Sequence, residues 1–150
     1  MNILKILPYD ISNGPGVRCS IWIAGCSHHC KGCWTPETWN PNKGTPLEDS
    51  LKEIEEVINN PLIDGVSILG GDPLYETMEL NNPNNLLKII ALCTKYNKNI
   101  WMWTGYLIEE IPAEVLKDIN VLVEGPFIEK ERDLNLKYRG SRNQKVIVIQ

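Results

Sequence analysis

The chain has 150 residues, of which 43% are hydrophobic and 23% charged. That is enough for one domain (residues 1–150) that removes about two thirds of its unfolded surface from water. The formal net charge of -4 argues against a broad phosphate-binding face, so no nucleic-acid partner is expected. No apolar run approaches the roughly 18 residues of a membrane span, and MNILKILPYD lacks the apolar core and cleavage site of a secretory signal. These features place the protein in the cytoplasm, away from membranes.

In chain order, the first element predicted is a strand over 17–24 (VRCSIWIA), β-branched and aromatic, after the turn formers Asn13, Gly14, Pro15 and Gly16. Residues 25–45 are dense in Cys, Gly, Pro and Asn without a period and read as a long loop, a length that usually carries function. Thr45, with Glu48 three residues on, reads as a capping box opening a helix to about Asn59. Its apolar stripe is Leu47, Leu51, Ile54, Val57 and Ile58.

A short strand, GVSIL at 65–69, runs into Gly70 and Gly71. A second helix over 84–96 carries Leu86, Leu87, Ile89, Ile90 and Cys93 at helical spacing. Then follow a strand over 100–103, a third helix over 107–117 that starts irregularly around Pro112, and strands over 121–123 and 145–149. Strands alternating with helices predict an α/β fold of mostly parallel strands. Four or five such strands cannot close an eight-stranded barrel. The expected form is therefore a small, open, partial (βα) barrel with helices on its outer face and its strand C-termini around one cleft.

Five cysteines are present, and Cys26, Cys30 and Cys33 crowd into C-S-H-H-C-K-G-C. In a reducing compartment that pattern points to metal or redox chemistry before disulfides. Three thiolates can hold three corners of an iron-sulfur cube and leave one iron open to a small molecule. With His28 or His29 the same cysteines would make a zinc knuckle, and spacing alone leaves both readings open. Cys19 and Cys93, in a strand and on an apolar helix stripe, read as packing residues.

Gly70, Gly71, Asp72 and Pro73 form either a plain turn or one whose main chain can approach a ligand, with an acid suited to an ammonium group. Trp103-Thr104-Gly105-Tyr106 follows a later strand at the same edge, where Thr104 can donate a hydrogen bond and Tyr106 can stack.

Taken in order, these segments resemble the radical S-adenosylmethionine family: C-x-x-x-C-x-x-C at Cys26, Cys30 and Cys33, then Gly70-Gly71-Asp72-Pro73 on the next strand. Asn13 to Arg18 resembles the entry strand of its glycyl-radical-activating branch. C-x-H-x-C-x-G-C, Thr38-Trp39-Asn40, W-T-G-Y, E-G-P-F at Glu124 and R-G-S-x-N-Q from Arg139 to Gln144 are similar to anaerobic ribonucleotide reductase-activating proteins. Two positions depart from the wider family: Gly32 replaces the usual aromatic residue before the last cysteine, and Asp72 stands where G-G-E-P has Glu. Both departures resemble the reductase-activating branch.

The resemblance implies one 4Fe-4S cluster per chain on Cys26, Cys30 and Cys33, with S-adenosylmethionine on its open iron. It implies cofactor contacts from Gly32, Cys33, Trp34, Gly70, Gly71, Asp72 and Thr104. No side chain is expected to be catalytic, because cluster and cofactor carry the chemistry: reductive cleavage, then removal of a hydrogen from a glycine of the reductase's large catalytic subunit. The implied partners are that subunit and an electron donor such as a flavodoxin. An activase of another glycyl radical enzyme, such as pyruvate formate-lyase, or a non-catalytic zinc or iron-sulfur module, is the alternative.

Overall fold

A computed structural model describes residues 1–150. The elements are β1 (Asn2–Asp10), β2 (Arg18–Ile23), β3 (Thr45–Pro46), α1 (Leu47–Ile58), β4 (Gly65–Gly70), α2 (Tyr75–Glu79), α3 (Asn84–Lys95), β5 (Asn99–Trp103), α4 (Ala113–Leu116), β6 (Val121–Glu124) and β7 (Lys145–Val148). They build an α/β fold around one open seven-stranded sheet of order β3-β1-β2-β4-β5-β6-β7. The expected parallel arrangement holds for the centre, where β2, β4, β5 and β6 pair in parallel. The flanking pairings of β1 with β2 and β3, and of β6 with β7, are antiparallel, so the sheet is mixed. No helix is long and apolar enough to cross a membrane.

Strand period two gives the sheet two different faces. Cys19, Ile21, Ile23, Val66, Ile68, Ile100, Met102 and Leu122 face the helices, and with Leu47, Ile54, Ile58, Leu86, Ile89, Ile90, Cys93 and Val115 they form the main core. The opposite face carries Arg18, Ser20 and Trp22 on β2, Ser67 and Leu69 on β4, Trp101 and Trp103 on β5, and Val121 and Val123 on β6. Loops cover it, and a separate small cluster of Trp101, Val121 and Val123 packs there with Trp103, Tyr138 and Val146.

Several expectations needed correction. β1 is long but irregular: its pairing with β2 shifts register between Ile3 and Lys5 and again between Leu7 and Asp10, and Pro8 sits in the second irregularity, where a strand tolerates it. Thr45 does not cap α1. It pairs with Ile3 in β3, Pro46 precedes the helix, and the Leu47 N–H donates to the Met1 carbonyl at 3.0 Å instead. The helix expected over 107–117 exists only as a 3-10 turn at Ile108–Glu110 and the four residues of α4, because Pro112 holds an extended ψ of 135° between them. α2, a five-residue helix, lies in what reads as a polar segment.

At the N-terminal edge of the parallel strands, Arg18 is 1% exposed. Its Nε donates to Ser67 Oγ at 2.7 Å, Nη1 to the Pro15 carbonyl at 3.1 Å, and Nη2 to the carbonyls of Val66 at 2.9 Å and Asn99 at 3.0 Å. The guanidinium carbon lies 5.6 Å from the Trp101 ring centre. Burial lowers its pKa to about 10, opposed first by Asp64. One side chain therefore joins β2, β4, β5 and the Asn13–Gly16 turn. Arg18→Met strands these acceptors and should cost about 3 kcal/mol, read as a lower urea midpoint. An unchanged midpoint would show that the anchor adds nothing to stability.

Candidate functional site

The site lies at the C-terminal ends of the parallel strands, where α/β proteins place ligands. A cleft of about 470 Å³ there is walled by Cys26, Cys30 and Cys33, by Gly70, Gly71 and Asp72, and by Thr104, Gly105 and Gly125 after β5 and β6. Its floor is the loop-covered face of the sheet: Trp22, Leu69, Trp103 and Val123. The sheet thus brings together the cysteine loop, the glycine turn and the segment after β5, each more than 30 residues from the next in sequence.

The cysteine loop leaves β2 and is bonded along the glycine turn. The Gly71 N–H donates to the Ile23 carbonyl at 2.8 Å, the Asp72 N–H to the Gly25 carbonyl at 2.7 Å, and the Gly25 N–H to the Thr38 carbonyl at 2.8 Å. The two glycines are required by this approach. A Cβ on Gly71 would lie 2.4 Å from the Gly25 oxygen, and one on Gly70, whose φ is 126°, would lie 2.4 Å from the Ile23 backbone.

Asp72 is 1% exposed. Its carboxylate accepts from the Leu74 N–H at 2.9 Å, the Gly105 N–H at 2.8 Å and the Thr104 hydroxyl at 2.9 and 3.0 Å, and pairs with His28 Nε2 at 3.0 Å. Four donors fill the roughly four lone-pair sites a carboxylate offers. The hydrogen bond that His28 donates to Asp72 raises the His28 pKa against the effect of burial. His28 also meets the Tyr106 ring edge-on at 4.5 Å. Tyr106 and Ser27 both donate to Glu79 Oε1, at 2.9 and 2.7 Å, which ties the loop to α2.

The thiols differ in environment. Burial pushes Cys26 up to about 11, whereas Cys30 and Cys33 are half-buried. The sulfurs stand around the cleft without converging on a single-ion site. Both histidines have other partners: His28 as above, and His29 stacked on Trp39 with ring centres 4.3 Å apart. Neither imidazole converges with the thiols on a single-ion site, and three separate soft thiols around one cleft suit an iron-sulfur cluster better than a zinc knuckle. Cys19 and Cys93 sit in the helix-facing core, their thiols raised to about 12 by burial.

Of the remaining expected cofactor contacts, Thr104 reaches the cleft with its hydroxyl committed to Asp72. Trp34 lines the cleft, with its ring 6.0 Å from Phe127 and Arg132 5.5 Å from its centre. Gly32 is exposed, at a φ of 77°, and is not part of the cleft wall. Sequence reasoning missed the roles of His28 and Glu79, and missed Trp22, which the period of β2 places on the same face as Arg18 and Ser20.

Residues 12–147 match the family described as a 4Fe-4S single cluster domain. The anaerobic ribonucleoside-triphosphate reductase-activating protein of Escherichia coli strain K12 is 40% identical, over 97% of each chain. That of Vibrio cholerae is 36% identical over 97% of each, and that of enterobacteria phage T4 is 36% identical over 97% of this chain and 93% of its own.

Gly71→Ala drives a methyl into two backbone carbonyls, those of Gly25 and Thr38, and should reduce iron and sulfide bound after anaerobic reconstitution by more than half. In Gly32→Ala the new methyl meets only the flexible Glu129 side chain, at a backbone strain of about 1 kcal/mol. Most of the iron should remain. Equal loss in both variants would contradict the packing role given to Gly71.

Proposed function

The chain belongs to the 4Fe-4S single cluster domain family and to the anaerobic ribonucleoside-triphosphate reductase-activating proteins, and from that premise we propose that it installs the glycyl radical of such a reductase. Its 4Fe-4S cluster is held by Cys26, Cys30 and Cys33, and S-adenosylmethionine shares the cleft. What carries this reading is the placement of all three thiols and the Gly70-Gly71-Asp72 turn on one cleft. Cluster and cofactor together supply an electron that opens the sulfonium and a radical equivalent that removes hydrogen from a glycine of the reductase.

The protein's own residues orient and shield. Gly70 and Gly71 offer main chain to the methionine end of the cofactor, and the saturated Asp72 fixes that main chain in place. Thr104 acts through Asp72, and Trp34 with Phe127 supplies apolar surface at the rim. We read the sheet as one side of a small open partial barrel, acting as one domain over 1–150. A protein segment needs such an open side to bring its glycine to the cleft. A flavodoxin-like protein is the proposed electron donor.

Reduction of the reconstituted protein with S-adenosylmethionine and the reductase should give a glycyl radical by electron paramagnetic resonance. Absence of that signal, with cofactor cleavage intact, would remove the reductase as substrate. Cys26→Ala, Cys30→Ala and Cys33→Ala should each abolish cleavage of S-adenosylmethionine, measured as methionine released, while Cys93→Ala retains it. Cleavage surviving in any of the first three would exclude that cysteine as a ligand.

A further inference from the structure

Two side-chain donors at the cleft have no acceptor. Trp22 Nε1 and Arg139 Nε are both shut off from solvent and bonded to nothing, and both residues line the cleft. An unsatisfied buried donor costs about 1–3 kcal/mol, so two at one cavity mark a place that a ligand's acceptor atoms complete. The orphaned groups lining the cleft are both donors, and the acceptors of Asp72 are already taken.

Charge points the same way. The basic side chains on the cleft wall are His28 and Arg139. His28 is committed to Asp72, while Arg139 enters no ion pair. The second acid on the wall, Asp133, accepts from the Asn135 N–H at 2.9 Å and is not paired with Arg139. A guanidinium presents a planar fork of donors that fits a carboxylate.

The main chain on either side of Arg139 is held in place. The carbonyl of Tyr138 accepts from Trp103 Nε1 at 2.6 Å, and the Tyr138 ring packs edge-on against Trp101 at 4.9 Å. The N–H groups of Gly140 and Ser141 donate to Gln144 Oε1 at 2.9 and 3.1 Å, and Gln144 Nε2 donates to the Gly125 carbonyl at 2.9 Å. The segment R-G-S-x-N-Q is thus an arch fastened to the ends of β5 and β6 with its arginine at the cleft. A cation carried on a fastened main chain has less backbone freedom to lose when its ligand arrives.

We infer that Arg139, assisted by the indole N–H of Trp22, receives a carboxylate of the ligand that fills this cleft. The inference rests on the reading that S-adenosylmethionine and a reductase segment meet here. Either can supply the group: the methionine carboxylate of the cofactor, or an acidic side chain of the segment.

The test uses the cluster-loaded protein and its Arg139→Gln, Arg139→Lys and Trp22→Phe variants, with iron content and melting temperature confirming the fold. Equilibrium dialysis measures S-adenosylmethionine and its decarboxylated analogue, and a separate titration measures the reductase large subunit. If the cofactor supplies the carboxylate, Arg139→Gln weakens S-adenosylmethionine at least tenfold, leaves the analogue within twofold, and Arg139→Lys recovers part of the loss. Trp22→Phe gives a smaller loss in the same direction. If the segment supplies it, cofactor affinity holds and affinity for the large subunit falls at least tenfold. Wild-type protein that fails to bind S-adenosylmethionine overturns the cofactor reading, and the large-subunit titration then decides the role of Arg139. Unchanged affinity for both in a folded Arg139→Gln protein overturns the inference. Should Arg139→Gln not fold, unchanged affinities in Arg139→Lys and Trp22→Phe overturn it equally.

Discussion

The carboxylate of Asp72 is the interaction on which the site depends. It binds His28 from the cysteine loop, Leu74 from its own turn, and Thr104 and Gly105 from the end of β5. These are three chain segments that leave three different strands, β2, β4 and β5. Hydrogen bonds to a charged group contribute about 1.5–3 kcal/mol each, and burial makes the loss of any one expensive. The strand pairings set the height of each segment: Ile23 lies beside Gly70, and Ile68 beside Met102. Asp72 then fixes what lies above the strands. The sheet supplies position, and this buried acid supplies shape.

The two ends of the sheet use opposite charges for similar work. Arg18 at the lower edge satisfies carbonyls left over between strands, and Asp72 at the upper edge satisfies amide and hydroxyl donors from loops. Neither is exposed, and neither needs a ligand to complete its bonds. That separates them from Arg139 and Trp22, whose donors remain open. At the two ends of the strands, burial with full satisfaction marks framework, and at the cleft an orphaned donor marks the place kept for something else.

Much of this was legible in the sequence because the relevant signals are local. The stripe of α1 and α3, the strands rich in Val and Ile, and the cysteine spacing all depend on neighbours a few residues away. What escaped was set by distant partners. β1 is a strand because β2 and β3 pair with it, and its Pro8 and shifted register hide the alternation. Thr45 reads as a cap, but Ile3 claims it for the sheet edge. Gly70 and Gly71 taken alone read as a plain turn before a ligand turn, and only the Ile23 backbone at Gly70 and the carbonyls of Gly25 and Thr38 at Gly71 show why neither carries a side chain. Spacing leaves His28 or His29 open as a zinc-knuckle ligand, and only the structure shows that neither converges with the thiols on a single-ion site.

The same contrast explains the later motifs. Glu124 of E-G-P-F is 3% exposed and accepts from the Ile108 N–H, holding the turn that follows W-T-G-Y. Gln144 binds two N–H groups of the arch and one carbonyl of the β6 end. These residue types accompany the cysteines because a ligand site at strand ends needs its loops fixed, and polar side chains bonded to main chain do that without filling the cleft. The loops are rigid where they meet the sheet and leave the mouth open beside Trp34, Phe127 and Leu134. A small-molecule enzyme gains by closing such a mouth over its substrate. An enzyme whose substrate is a segment of another folded protein needs it open, with the partner itself excluding water when it docks.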